Sequence, residues 1–209
     1  MNVFTRLNTA LDELLERVRP VLVVVGDKRG GAGAGILVGD GLVLTNHHVA
    51  SHGRYLQVVL DDSETYAARL VASDPDVDLA LLEIPSNGHL YPKGHGSAVI
   101  SNEKPRPGEM VFAFGHPWGQ RNVLTGGVLS AVTSLNGRHG EVPILRADVQ
   151  LAPGNSGGPL LNSAGEVIGL NALIFGGDQS VAIPASLIRE FLEKAQKDMP
   201  SRHSAEAVL

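Results

Sequence analysis

The chain has 209 residues, no cysteine and a formal net charge of −5. Disulfide stapling and cysteine-ligated metals are thereby excluded, and without a dense Lys/Arg cluster nucleic acid is not expected as the main partner. Hydrophobic residues at 43% and charged residues at 19% indicate a folded globular protein, while 25 glycines and 12 prolines favour short strands joined by tight turns.

Residues 4–18 read as an amphipathic helix within an N-terminal segment 1–19. Phe4, Leu7, Leu11, Leu14 and Val18 recur at three- and four-residue steps, and Pro20 stops the pattern. The same spacing suits packing on its own domain or a short seam between copies. The segment carries acids and lacks the apolar core of a secretory leader. As written, the chain therefore reads as cytoplasmic, or as periplasmic if a leader precedes it. No apolar run approaches the roughly 20 residues that cross a bilayer.

After Pro20 the pattern turns to strands. "VLVVVG" is a continuous β-branched run, and "GILVGDGLVLTNHHVA" reads as a hairpin about Gly39–Gly41. The glycine run 30–35 reads as a flexible loop entering a strand. It is not a phosphate loop, because no Gly-Lys-Ser/Thr and no helix follow. "YLQVVL", "TYAARLVAS" and "LALLEI" keep the short-strand rhythm. Composition breaks over 85–108, which is rich in Pro, Gly, Ser and Lys and reads as an internal linker. Strands resume with "EMVFAFG", "NVLTGGVLSAVTSL", "VPILRADV", "GPLLN", "EVIGLNALIF" and "SVAIP", with a turn at "NSAGEV". "ASLIREFLEKAQK" reads as a closing amphipathic helix, and the residues after it as a flexible tail. Many short strands split by one linker predict an all-β fold of two β-barrels.

The chemistry centres on "APGNSGGPL". An alcohol needs an adjacent base, and the base needs an orienting group. The attacked carbonyl also needs donors aimed at its developing charge. Gly154 can adopt a backbone shape closed to residues with a Cβ, bringing the Gly154 and Ser156 N–H groups toward one cavity, with Asn155 between them and given no side-chain role. His47 and His48 stand at a strand end. On an extended segment neighbours point opposite ways, so only one can face the cleft. No third ligand lies at metal spacing, so no metal is expected. In "SDPDVDLALLEI", Asp78 directly precedes the apolar run and is carried to the barrel wall. Asp74 before Pro75 reads as a turn former and Asp76 as solvated.

"LTNHHV", "SDPDVDLALL" and "APGNSGGPL", in that order, resemble the chymotrypsin-like serine peptidases of the HtrA (Deg) type. "RVRPVLVVV", "FGHPWGQRNVLTGGVLSA", Asp148 eight residues before the serine, and "VAIP" extend the likeness over about residues 15–195. The resemblance implies two six-stranded antiparallel barrels, one at about 20–92 and one at 109–184, with a linker at 93–108, a closing helix at 185–197 and a tail at 198–209. Together they make a protease domain of residues 20–195. It implies His48 as general base, Asp78 as its orienter, Ser156 as nucleophile, and an oxyanion hole over Gly154, Asn155 and Ser156. His47 falls at a variable position of the motif.

It further implies that Gln150, Leu151, Val181 and Ile183 form or support the primary specificity pocket, and that Asn171, Ala172 and Leu173 are the edge that pairs with substrate. With no acid at the pocket base, cleavage after Val, Ala, Ile or Leu is expected; the competing reading has Gln150 pointing inward to select polar side chains. The implied function is cofactor-free endopeptidase action on unfolded or flexible polypeptides. A latent relative acting as a peptide-binding or chaperone-like module is the alternative, and an esterase a weaker one. A homotrimer through the N-terminal helix is implied. Too few residues follow the closing helix for the PDZ domain that many relatives carry.

Overall fold

The structure, a computed structural model, describes residues 2–27, 32–39, 41–51, 55–60, 64–84, 96–172 and 180–199. Helix α1 (Val3–Val18) is opened by Asn2, whose side chain accepts the Thr5 N–H at 2.8 Å. Its C-terminal half buries Leu14 and Val18 in the core, while Val3, Phe4 and Leu7 toward its start stay exposed. The Arg17 guanidinium donates to the Ala164 carbonyl at 2.7 Å, tying the helix to the second half of the chain.

Strands β1 (Leu22–Asp27), β2 (Ala32–Gly39), β3 (Leu42–Asn46), β4 (Leu56–Val59), β5 (Thr65–Ala67), β6 (Arg69–Asp74) and β7 (Leu79–Glu83) form one antiparallel sheet in the order β5-β4-β1-β2-β3-β7-β6. The two edge strands are separated in sequence by Ala68 alone, whose N–H donates to Leu56 O at 2.8 Å. Counted as one bent strand, residues 65–74 return the chain from one edge of the curled sheet to the other. The stretch "TYAARLVAS" is thus two strands by its break at Ala68, giving seven, and one bent strand by its path, giving the six expected.

The glycine-rich segment 32–35 is strand, not loop: Gly33 pairs with Val25 and Gly35 with Val23. Its glycines serve close approach. A Cβ at Gly33 would lie 2.8 Å from a Val49 methyl and 2.9 Å from the Ser156 carbonyl.

Strands β8 (Met110–Gly115), β9 (Val123–Gly137), β10 (Gly140–Ala147), β11 (Pro159–Leu161), β12 (Val167–Ala172) and β13 (Ser180–Pro184) close a six-stranded barrel in the order β10-β13-β12-β11-β8-β9. Between the halves, residues 96–109 carry no strand, only a bridge from Ile100 to Val167. The two-residue side-chain period of β8 serves both cores. Val111 and Ala113 face the interior of the closed barrel. Phe112 and Phe114 face a larger core that also takes in β1–β4, β7 and α3 (Ala185–Asp198). The two curled sheets thus share apolar contacts in a chymotrypsin-like fold. Among the described residues no helix is long and apolar enough to cross a membrane.

Candidate active site

Strand register brings the first two groups together. Asn46 at the end of β3 pairs with Leu79 at the start of β7. The residues just beyond Asn46 and just before Leu79 must therefore meet. The chain leaves β3 directly into a short helix, α2 (His47–Ser51). Asp78 turns into β7 with φ +56°, a left-handed conformation that Asp tolerates better than most residues.

Its carboxylate accepts the His48 backbone N–H at 2.9 Å and the ring Nδ1 at 2.8 and 3.1 Å. Its carbonyl accepts the His47 N–H and the Asn46 amide, both at 3.1 Å. The same side chain caps α2 and orients its imidazole. A carboxylate at Nδ1 requires the proton there, which leaves the Nε2 lone pair available as a base.

His47 does not join that pair: its Nδ1 lies 2.6 Å from the Ser73 hydroxyl, although it lines the same cavity as His48. The two histidines diverge, but by the step of a helical turn rather than the alternation of a strand, because α2 begins at His47 itself.

The serine turn is wedged between the two halves. Its glycines carry φ +105° at 154 and +84° at 157. A Cβ at Gly157 would lie 2.1 Å from Ala34 O and 2.4 Å from the Thr45 hydroxyl; at Gly158 it would lie 2.2 Å from Phe114 O. The Ser156 carbonyl accepts the Ala34 N–H at 2.7 Å, and Gly157 N–H donates to Asn171 O at 2.9 Å. The turn therefore rests on β2 and on β3, the strand that delivers His48. Ser156 is 6% exposed.

Among the described residues neither the Gly154 nor the Ser156 N–H donates to a protein acceptor. Asn155 does not act as a third donor to that space. Its N–H bonds back to Ala152 O at 2.9 Å, and its buried side chain lies where a Cβ at Gly115 would meet its Oδ1 at 2.4 Å.

The remaining sequence-derived residues are distributed as follows. Gln150 is exposed, and its carbonyl accepts the Thr125 hydroxyl at 3.0 Å. Leu151 is half-buried against the closed-barrel core. Val181 and Ile183 are buried on β13, with Ile183 in the larger core. Asn171 is 1% exposed, with its backbone and its side-chain amide N–H engaged. Its N–H donates to Gly158 O at 2.8 Å, its O accepts from Gly157, and its amide donates to Pro159 O at 3.0 Å. Its backbone is not an open edge. Ala172 is buried and pairs with Val181; Leu173 lies outside the described residues. Asp148 is exposed.

Two features carry no role in the sequence analysis, although the second lies in the quoted "FGHPWGQRNVLTGGVLSA". A cavity of about 380 Å³ lies beside the histidine–aspartate pair, walled by His48, Pro75 and Asp76 on one side and by Leu135, Arg138 and Val142 of the β9–β10 hairpin on the other. The loop of that hairpin is the two residues 138–139, because Gly137 already pairs with Gly140 and Asn136 with Glu141, so the Asn-Gly dipeptide lies in the strand and does not mark the turn. The second is the turn 116–122, which holds three left-handed residues: Trp118 (φ +54°), Gly119 (φ +79°) and Asn122 (φ +59°). A left-handed Trp costs on the order of 1–2 kcal/mol, so its surroundings must impose it. Among the described residues no group of three His, Asp or Glu side chains could hold a metal ion.

Two curled antiparallel sheets, a histidine–aspartate pair on the first and a glycine-bracketed serine wedged in from the second, define a chymotrypsin-like arrangement. Residues 33–170 match the family model described as the trypsin-like peptidase domain, and the chain belongs to that family. It is 37% identical over 177 residues to a probable periplasmic serine endoprotease DegP-like of Marinomonas sp. (strain MWYL1), covering 82% of this chain and 37% of that protein. To the serine protease HTRA1 of Xenopus tropicalis it is 38% identical over 169 residues, covering 78% and 36%. The crystal structure of the serine endoprotease from Yersinia pestis superposes with a TM-score of 0.76 at 31% identity, covering 90% of this chain and 66% of that one. The chain spans little more than a third of the length of these curated relatives, at 36–37%.

Proposed function

We propose that the chain is a serine endopeptidase, with Ser156 as nucleophile, His48 as general base and Asp78 as the carboxylate that fixes the imidazole. The observation that carries this reading is the engagement of Asp78 with both the ring and the backbone of His48, at 2.8 and 2.9 Å, next to a serine turn seated on the strand that delivers that histidine. Proton transfer from Ser156 to Nε2 generates the alkoxide. Attack on a peptide carbonyl gives an oxyanion that the unengaged N–H groups of Gly154 and Ser156 receive, and collapse expels the amine with the proton from His48. Water then repeats the sequence on the acyl-enzyme.

The substrates in this reading are unfolded or flexible polypeptides. The 149–155 segment contains no acid, which supports cleavage after small or medium apolar residues over basic ones. Relatives named periplasmic favour an extracytoplasmic place over a cytoplasmic one. The exposed Val3, Phe4 and Leu7 of α1 and the exposed Trp118 support self-association, as a trimer. The cavity lined by Asp12, Glu16, Phe114 and Asn122 sets that helix beside the turn bearing Trp118.

Labelling with a fluorophosphonate tests the reading. Adduct on Ser156 that disappears in Ser156→Ala and His48→Ala is expected. A protein that binds unfolded peptide tightly yet never labels would replace the peptidase with a binding module.

A further inference from the structure

The turn after β8 carries a histidine that the chemistry above leaves unused. We propose that His116 is a positioning residue for the oxyanion hole, a proposal that rests on the peptidase reading. Its neutral ring, accepting the Asn122 N–H at Nδ1, holds the 116–122 turn in the shape that aims the Gly154 N–H into the cleft.

His116 is 3% exposed. Asn122 N–H donates to its Nδ1 at 3.2 Å, a side-chain bond that spans the whole turn. Inside that span, Gly119 N–H donates to His116 O at 3.0 Å and Gln120 N–H to Pro117 O at 2.9 Å. These bonds hold Trp118, Gly119 and Asn122 in left-handed backbone, which a bulky residue such as Trp adopts only when its surroundings impose it.

So shaped, the turn presents two N–H groups to the serine turn. Trp118 N–H donates to Pro153 O at 2.8 Å and His116 N–H to Gly154 O at 3.2 Å. Among the described residues no peptide bond is cis. In a trans peptide the C=O and the following N–H point in opposite directions. Fixing Pro153 O on Trp118 therefore turns the Gly154 N–H away from the 116–122 turn, where it meets no protein acceptor. Rotation of that one peptide would remove the donor without moving Ser156 or His48. Gly154 is also pressed against this turn: a Cβ there would lie 2.2 Å from His116 O.

Three proteins and two readouts test this. His116→Phe keeps a ring without an acceptor, and His116→Asn keeps a short acceptor. With a peptide substrate, H116F is expected to lose roughly 10–100-fold in kcat with KM within about 3-fold, a partial loss of one donor. H116N is expected to stay within about 3-fold of wild type. Amide exchange reads the turn without turnover: Trp118 N–H is expected to exchange at least ~10-fold faster in H116F and to stay protected in H116N. In the wild type, ¹⁵N imidazole shifts are expected to place the His116 proton on Nε2.

Wild-type kcat and protection in H116F, equal losses in H116F and H116N, or a proton on Nδ1 would each overturn the proposal. A wild-type protein without Ser156-dependent turnover would instead refute the peptidase reading, while exchange and imidazole shifts still decide the role of His116.

Discussion

Replacing Asp78 with Asn separates the catalytic role proposed for that residue from its structural one. An asparagine side chain keeps an oxygen for the His48 backbone N–H, which the aspartate now accepts at 2.9 Å. It also suits φ +56°, because Asn is among the residues most tolerant of left-handed backbone. The change falls on the ring. The Asn amide donates where the carboxylate accepted from Nδ1 at 2.8 Å, so the imidazole proton moves to Nε2 and the base is lost to the serine. In the serine–histidine–aspartate template this tautomer switch costs ~10⁴ in kcat, which is about 5.4 kcal/mol of transition-state stabilisation. The melting temperature is expected to stay within about 2 °C. Asp78→Ala adds a structural loss: about 1 kcal/mol for the missing cap and about 1 kcal/mol for left-handed Ala, together a fall of roughly 4–8 °C. Initial rates on a peptide substrate and calorimetric melts of both variants decide the matter. A D78N enzyme with wild-type kcat, or one melting as low as D78A, would refute the assignment of ring orientation to Asp78.

Gly157→Ala combines φ +84° with a Cβ 2.1 Å from Ala34 O, so it is expected to destabilise by at least ~2 kcal/mol and to lower kcat; a thermal melt and an activity assay check it. Phe114→Ala, at a position with 0% exposure, is expected to cost about 3–5 kcal/mol in urea unfolding. Phe4→Glu with Leu7→Glu, on the exposed side of α1, is expected to reduce the mass measured by light scattering to that of one chain without changing the fold. Cut sites mapped on a denatured protein are expected to follow Val, Ala, Ile or Leu; dominant Lys or Arg before the cut would refute the specificity reading.

The strand rhythm, both helices and the histidine–aspartate meeting were legible because each follows from local pattern: β-branched runs, three- and four-residue apolar steps, and an Asp just before a buried strand. The 32–35 segment was not. Glycines signal a loop when read locally, whereas here they mark where Ser156 and Val49 press on β2, a long-range contact. The α2 helix was missed because five residues are too short for periodicity, and its start is set by Asp78 from another strand. Asn171 looked like an open strand edge; only the pairing partners of β12 reveal that its backbone is already taken. The β9–β10 wall and the role of the 116–122 turn, whose segment was legible only as part of the family likeness, could not be read locally since their importance lies in what they approach.

In the peptidase reading the site draws its base and its nucleophile from different sheets, so its accuracy is that of the contact between them. At the serine turn that contact is backbone against backbone: Ala34 N–H on Ser156 O at 2.7 Å, with the Thr45 hydroxyl on Ala34 O at 2.7 Å beneath it. Side chains there would hold the sheets apart, which is why Gly33, Gly157 and Gly158 line the seam. A shift of about 1 Å at reacting atoms can cost 10²-fold in rate. Local opening of the seam at a lower free energy than global unfolding would then suppress turnover while leaving each sheet intact. Activity should consequently fall on heating below the calorimetric midpoint. Thr45→Val, which removes the hydroxyl beneath Ala34, should widen that gap by more than a core substitution of equal ΔΔG.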